Sequence, residues 1–312
     1  MKRTLVTGAG GFVGCHLVPY LHEKGFEVWS SFHRGLKRFP FPVHGVRADL
    51  TDYRETLNLI ARSRPDYLFH LAGQTVPSQS WIDPGQTLRS NVVASIFLLE
   101  AVLRFSPRAR VVFFSSGQVY GTTFWSQKKV SEKDLPNPLG PYAGSKLLME
   151  MAALNFFKEH GVSVVIARAF NQTGPGQKET YVLSNFCRQI ALMERKKRPP
   201  VLKVGNIHLA RDFVHVRDSI RAYDLLARRG RAGEIYNVGS GKEIKLSDVL
   251  DFLAGESRVR FSIKVLSSRL RGNDPPHALL DISKIKALGW RPQASIWDAL
   301  RELLEEWRQK VR

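Results

Sequence analysis

Tyr142 and Lys146 stand four residues apart in "YAGSK" (142–146), a spacing that puts both on one face of a helix, one turn apart. Such a pair can move a proton. A free phenol titrates near ~10 and holds its proton too tightly for acid–base work at neutral pH; an adjacent ammonium favours the phenolate and lowers that value. Upstream, the apolar run "RVVFF" (110–114) leads into "SSGQVYG" (115–121), so Ser116 is delivered at a strand end. Its hydroxyl can donate to an oxygen on which charge develops. Tyr–x–x–x–Lys alone occurs often by chance. Together with a strand-end serine and the glycine turn described next, it is specific. Gln118 lies in the same stretch, where a carboxylic acid could transfer protons and an amide cannot.

The glycine turn is "VTGAGGFVG" (6–14), with Gly8, Gly11 and Gly14 between a strand and a helix start. That spacing lets backbone N–H groups approach a pyrophosphate at a helix N-terminus, the signature of a dinucleotide site. The end of the second strand selects the dinucleotide. NAD is usually met there by an acid. Here "VWSSFHRGLKR" (28–38) has none and offers Ser31, His33, Arg34, Lys37 and Arg38, which suit the 2′-phosphate of NADPH, with Arg34 the leading contact. Asp49 in "RADLTD" either meets the adenine edge or serves the start of the next helix near Asp52.

These residues need a scaffold that brings strand ends together. Over the first 170 residues, short apolar runs alternate with helical patterns: "RTLVTG", "FEVWSSF", "YRETLNLIARS", "PDYLFHLAG", "NVVASIFLLEAVLRF", "RVVFFSS", "GSKLLMEMAALNFFKEHG" and "VSVVIARAF". This βαβα order predicts an α/β fold, a doubly wound parallel sheet with helices on both faces. Beyond 170 the pattern changes to a loop, "NQTGPGQKET", then the helical "VLSNFCRQIALMERKK", a late strand in "EIYNVGSG" (234–241), and a helix "LSDVLDFLAG" with Ser247 as its cap. The expected organisation is a nucleotide-binding domain over 1–170 with segments returning near 212–240. A smaller C-terminal substrate-binding lobe is expected from 171–211 and 241–312.

The 312 residues include 43% hydrophobic and 24% charged side chains, ordinary for a globular protein. The longest apolar runs are strand-sized, and glycines interrupt the basic N-terminal tip before a signal-peptide core develops, so no membrane association is expected. Cys15 and Cys187 carry neither a zinc nor a disulfide pattern, which points to no metal and a cytoplasmic location. The net charge of +19 has two readings, attraction of a polyanion or phosphorylated substrate, or a solvated basic surface. The dense cluster "RKKRPP" (195–200) lacks the interleaved aromatics that stack bases, which weighs against nucleic acid.

"TGAGGFVG", "HLAG" (70–73), "SSGQVYG", "PYAGSK", "FNQTGPGQ" (170–177) and "RDFVHVRD" (211–218), in that order across nearly the whole chain, resemble the extended short-chain dehydrogenases/reductases that modify nucleotide sugars. The resemblance implies a Rossmann-type sheet, catalytic roles for Ser116, Tyr142 and Lys146, and NADPH/NADP contacts from Phe12, Val13, Leu50, Leu71, Ala72 and Gly73 besides the glycines. It also implies a homodimer through the helices at 91–105 and 144–161. "SWIDPGQTLRSNVVAS", "KVGNIHLARDFVHVRD" and "SRLRGNDPP" are most similar to the branch that reduces GDP-4-keto-6-deoxy-D-mannose to GDP-D-rhamnose; this implies that Asn171, Arg211 and Arg271 contact a GDP-linked sugar. The 4,6-dehydratases of the family carry a glutamate where this chain has Gln118. Removing water across two carbons needs a base and an acid, and an amide is neither, so Gln118 argues for reduction. It either hydrogen-bonds the sugar or closes the strand end. Competing readings are a nucleotide-sugar 4-epimerase or 4,6-dehydratase, or, in another class, a dinucleotide-sensing or RNA-binding protein. The intact Ser116, Tyr142 and Lys146 oppose that last reading.

Overall fold

The computed structural model describes residues 1–33, 35–126, 129–270 and 274–312. Seven parallel strands form the main sheet: β1 (Arg3–Thr7), β2 (Glu27–Phe32), β3 (His44–Arg47), β4 (Tyr67–His70), β5 (Arg110–Ser116), β6 (Ser163–Ala169) and β7 (Glu234–Val238). Their spatial order is β7-β6-β5-β4-β1-β2-β3. The order reverses between β1 and β4, and in doubly wound sheets ligands bind above the strand ends at such a switch point. Strands buried on both faces read as unbroken apolar runs, which is why "VVFF" and "SVVIA" were legible as strands.

Among the described residues eight longer helices accompany the strands: α1 (Phe12–Glu23), α2 (Tyr53–Ser63), α3 (Ala94–Phe105), α4 (Gly140–His160), α5 (Val182–Glu194), α6 (Val216–Arg229), α7 (Leu246–Glu256) and α8 (Ile296–Lys310). One core, with Leu17, Phe114, Ala167 and Tyr223, fills the α1/α6 face of the sheet. A second, with Leu68, Leu98, Phe113 and Met149, fills the α2/α3/α4 face. Successive residues of a strand face opposite ways, so Phe113 and Phe114 serve different cores.

A third core joins α5, α7 and α8 through Phe186, Leu250, Leu300 and Trp307. The C-terminal part also forms a four-stranded sheet of Glu243–Lys245, Ala210–Asp212, His277–Leu280 and Lys129–Val130, whose Val130, Ala278 and Leu280 join the first core, and two two-stranded ladders, Gln172–Thr173 with Val214–His215 and Val201–Val204 with Ser262–Val265. Ser247 does not cap α7. That helix begins at Leu246 with Lys245 at the cap position, and the Ser247 hydroxyl instead lies 3.2 Å from the Asp248 carboxylate. The "RKKRPP" cluster closes α5. Lys196 takes a left-handed backbone (φ 55°), and Lys197 Nζ donates to the carbonyl of Val311 at 2.7 Å. No helix among the described residues is long and apolar enough to cross a membrane.

Candidate active site

Gly8 follows β1 with φ +66°, and a Cβ there would sit 2.8 Å from the backbone nitrogen of Ala72. A Cβ on Gly14 would lie 2.6 Å from the carbonyl oxygen of Ala9. Both positions therefore require glycine: the first for its left-handed backbone and close approach, the second for the packing of α1 on the turn. Gly11 N–H donates to the Gly8 carbonyl at 2.9 Å, and α1 starts at Phe12 with no side-chain cap and no acid in its first turn. Uncapped N–H groups at a helix start, over a cradle that side chains cannot enter, fit a pyrophosphate. Phe12, Val13 and Leu71 are half-buried around this turn, and Leu50 is buried in the second core.

The "HLAG" stretch seals the turn from the β4 side. Ala72 N–H donates to Thr7 Oγ1 at 3.2 Å, and His70 bridges Thr7 Oγ1 (2.9 Å) and Ser95 Oγ (3.0 Å). Burial drives the His70 imidazole down to about 3, so it stays neutral and acts as a strut. Asn91 is a residue that motif reading missed. It lies in a π-turn, Arg89–Val93, ahead of α3; its side chain accepts from Gln74 N–H (2.7 Å) and donates to Gln74 O (3.1 Å) and Ser145 Oγ (2.9 Å). Such π-turns often mark functional sites, but nothing in local sequence announces one.

At the far end of β2, Lys37 Nζ lies 2.9 Å from Cys15 Sγ on α1, so one of the expected cations reaches the helix that starts the phosphate turn. Ser31 is buried. Arg34 and Arg271 lie outside the described residues. The Asp49 carboxylate is occupied locally, accepting from Thr51 N–H (2.9 Å) and Thr51 Oγ1 (2.8 Å), with His33 Nδ1 at 3.8 Å. Asp52, not Asp49, caps α2, accepting from Glu55 N–H at 2.9 Å.

Ser116, Tyr142 and Lys146 come together at the crest of β5 with 7%, 9% and 4% exposure. α4 opens four residues earlier than its apolar pattern suggested, at Gly140, so both Tyr142 and Lys146 are helical. Tyr142 N–H donates to Ser80 Oγ (3.1 Å), its carbonyl accepts from Ser145 Oγ (2.7 Å), and Lys146 Nζ donates to the carbonyl of Phe114 (2.8 Å). Burial lifts the Tyr142 phenol to about 12, opposed by the Ser116 hydroxyl within hydrogen-bonding reach. Burial lowers Lys146 to about 8, opposed by Glu150. Desolvation is the largest influence on the phenol, which holds its proton at neutral pH. A protonated phenol and a largely protonated lysine form a donor set for an oxygen that gains negative charge.

Gln118 follows in a 3₁₀ turn, Gly117–Tyr120, with its N–H on Ser116 Oγ at 3.2 Å. Asn171 Nδ2 donates to the Asp212 carbonyl (3.0 Å), and Arg211 Nη1 donates to the carbonyls of Ala210 (2.9 Å) and Pro276 (3.4 Å). Burial weakens the Arg211 guanidinium's hold on its proton, with Asp274 and Glu243 opposing. Thr75 and Tyr181, which carried no motif, join across the cleft at 3.0 Å, and the Tyr181 phenol lies close enough to raise Tyr142. Among the described residues no three His, Cys, Asp or Glu side chains are placed to hold a metal.

A seven-stranded parallel sheet with a glycine cradle at β1 and a Ser–Tyr–Lys cluster at β5 defines an extended short-chain dehydrogenase/reductase. A family model described as GDP-mannose 4,6 dehydratase matches residues 5–303, and the chain belongs to that family. Over all 312 residues it is 35% identical to a GDP-6-deoxy-D-mannose reductase of Pseudomonas aeruginosa, covering 99% of that protein. It is also 30% identical to a dTDP-glucose 4,6-dehydratase of an Actinoplanes species, with 98% of each covered. Among solved structures, that of RMD from Pseudomonas aeruginosa complexed with NADPH superposes with a TM-score of 0.88 at 33% identity, covering 99% of this chain and 100% of that one.

Proposed function

We propose that the protein is an NADPH-dependent reductase of the C4 keto group of a nucleotide-linked 4-keto-6-deoxy sugar, with GDP-4-keto-6-deoxy-D-mannose giving GDP-D-rhamnose. The observation that carries this reading is the buried Ser116–Tyr142–Lys146 cluster, its phenol protonated, beside an amide at 118 where dehydration would need a carboxyl group. When bound, NADPH supplies the hydride. Tyr142 gives its proton to the C4 oxygen, Ser116 donates a hydrogen bond to that oxygen, and the Lys146 ammonium one turn away offsets the phenolate that remains until solvent returns the proton. Gly8, Gly11 and Gly14 receive the pyrophosphate, with Lys37 and Arg34 toward the 2′-phosphate. Asn171, Arg211 and Arg271 hold the substrate diphosphate side, and Gln118 orients the sugar. We place the protein in the cytoplasm and as a homodimer; the exposed Leu88 and, on α4, Leu148 and Met151 support pairing of two copies there.

The test is to supply GDP-4-keto-6-deoxy-D-mannose with NADPH, follow cofactor absorbance and identify the sugar formed. Oxidation with a GDP-deoxyhexose product, reduced by roughly 10²–10⁴-fold in Tyr142→Phe, is expected. No oxidation with this or any other nucleotide-linked ketosugar would overturn the reading.

A further inference from the structure

The buried charges nearest the Ser–Tyr–Lys cluster belong to none of the roles above. Glu150 lies on α4 one turn beyond Lys146, 1% exposed, and Arg168 on β6 is 3% exposed. Arg168 grips Glu150 with Nε at 3.0 Å and Nη2 at 2.7 Å, a bidentate pair. An ion pair so deep costs about as much in desolvation as it returns, so stability alone is a weak reason to keep one. Its other contacts suggest a reason. Ser115, immediately before Ser116, donates its hydroxyl to Glu150 Oε1. Arg168 stacks over the Tyr120 ring at 4.7 Å, and Tyr120 donates to Asn237 Oδ1 on β7 at 2.8 Å. Ser115 and Tyr120 are the two ends of the segment that carries Ser116 and Gln118. One ion pair therefore anchors both ends of that segment to the helix that carries Tyr142 and Lys146.

We propose that Glu150, fixed by Arg168 and Ser115, is a positioning residue for the reduction: it sets the Ser116 segment against the helix that carries Tyr142 and places its carboxylate one helical turn from Lys146. The proposal rests on the reductase reading for its kinetic consequence, but not for its structural one. The groups facing Lys146 are Tyr142 and Glu150 on its own helix, neutral His70 at the end of β4, and, across Glu150, Arg168 on β6. Glu150 is the one anion in that set and opposes the burial that favours neutral lysine. Removing its charge must therefore let Lys146 lose its proton at lower pH.

The experiment compares wild type, Glu150→Gln and Ser115→Ala. Glutamine removes the charge and keeps one acceptor oxygen, while its NH2 group replaces the other acceptor and meets a donor of Arg168 or Ser115. Its kcat should fall roughly 10–100-fold with KM for NADPH within about threefold, and the alkaline fall of kcat should move to lower pH by about one unit or more. Nitrogen-15 NMR of the Lys146 side chain in the protein without substrate or cofactor, assigned with Lys146→Arg, should show the same displacement. Ser115→Ala leaves the ion pair intact and should lower kcat by about 5-fold, a neutral hydrogen bond's worth, without moving the alkaline limb. A folded Glu150→Gln with an unmoved limb and an unmoved NMR midpoint overturns the proposal. If that variant does not fold, Ser115→Ala with wild-type kcat overturns it. The NMR midpoint is independent of turnover, so a failed reductase reading and a failed positioning role give different results.

Discussion

The two sides of the cleft hold their residues by different physics. On the cofactor side, position is set by exclusion: at Gly8 and Gly14 any side chain would run into backbone at 2.8 and 2.6 Å. On the proposed substrate side, it is set by hydrogen bonds from side chains to backbone carbonyls, Asn171 to Asp212 and Arg211 to Ala210 and Pro276. Packed backbone has little room to relax, whereas a guanidinium on a flexible stem can be redirected. A surface built the first way keeps one ligand; a surface built the second way can be retuned. The relatives reported above, named for GDP and dTDP sugars, share the fold while differing in the sugar nucleotide they are named for.

If that contrast holds, damage to the cofactor side is the more severe. Gly8→Ala adds a methyl against Ala72 in a left-handed backbone, costing about 1–2 kcal/mol for the conformation and about 1–3 kcal/mol for the overlap. A melting temperature lower by roughly 3–8 °C and a loss of NADPH affinity of at least ~10-fold are expected, read by calorimetry and fluorescence titration. Normal stability with normal NADPH binding would break the comparison.

Arg211→Met sharpens it from the other side. Arg211 lies partly out of solvent, and its guanidinium bonds the carbonyls of Ala210 and Pro276. Losing charged hydrogen bonds to a diphosphate of about 1.5–3 kcal/mol predicts KM for the nucleotide sugar higher by roughly 10–100-fold, with NADPH affinity within about twofold. Steady-state kinetics with each substrate varied in turn separates the two. An equal loss for both ligands would mean that the sides are mechanically one.

The same contrast explains what the sequence disclosed. Exclusion leaves local marks: glycines at fixed spacing, "VVFF" buried on both faces, and Tyr142 and Lys146 one turn apart. Those were readable because each is decided within a few residues. Assembly from distant pieces leaves none. The four-stranded sheet draws two to four residues from each of four places, and the Glu150–Arg168 pair spans two elements whose polar residues looked like ordinary helix and strand positions. Ser247 misled because serine is a favoured cap in general, while here helix α7 starts one residue before it. The spacing of Tyr142 and Lys146 is local, whereas the burial that raises the phenol's proton affinity is a property of the whole fold.

The smallest expected effect concerns Gln118, at the boundary between the two sides. Its backbone N–H is fixed by the Ser116 hydroxyl, and its side chain is half-buried. Gln118→Glu keeps the shape and adds a carboxyl group. Reduction needs one proton, already carried by Tyr142, so the added acid has no step to serve. kcat at neutral pH should stay within about threefold of wild type, a difference below one ordinary hydrogen bond. The product should remain the reduced sugar, checked by chromatography against authentic standards. A larger fall in kcat with unchanged KM would show that the amide donates to the sugar in the transition state, an interaction a carboxylate cannot make. That result would move Gln118 to the rigid side of the comparison, since a donor acting only in the transition state must be held as firmly as the glycine turn holds the cofactor.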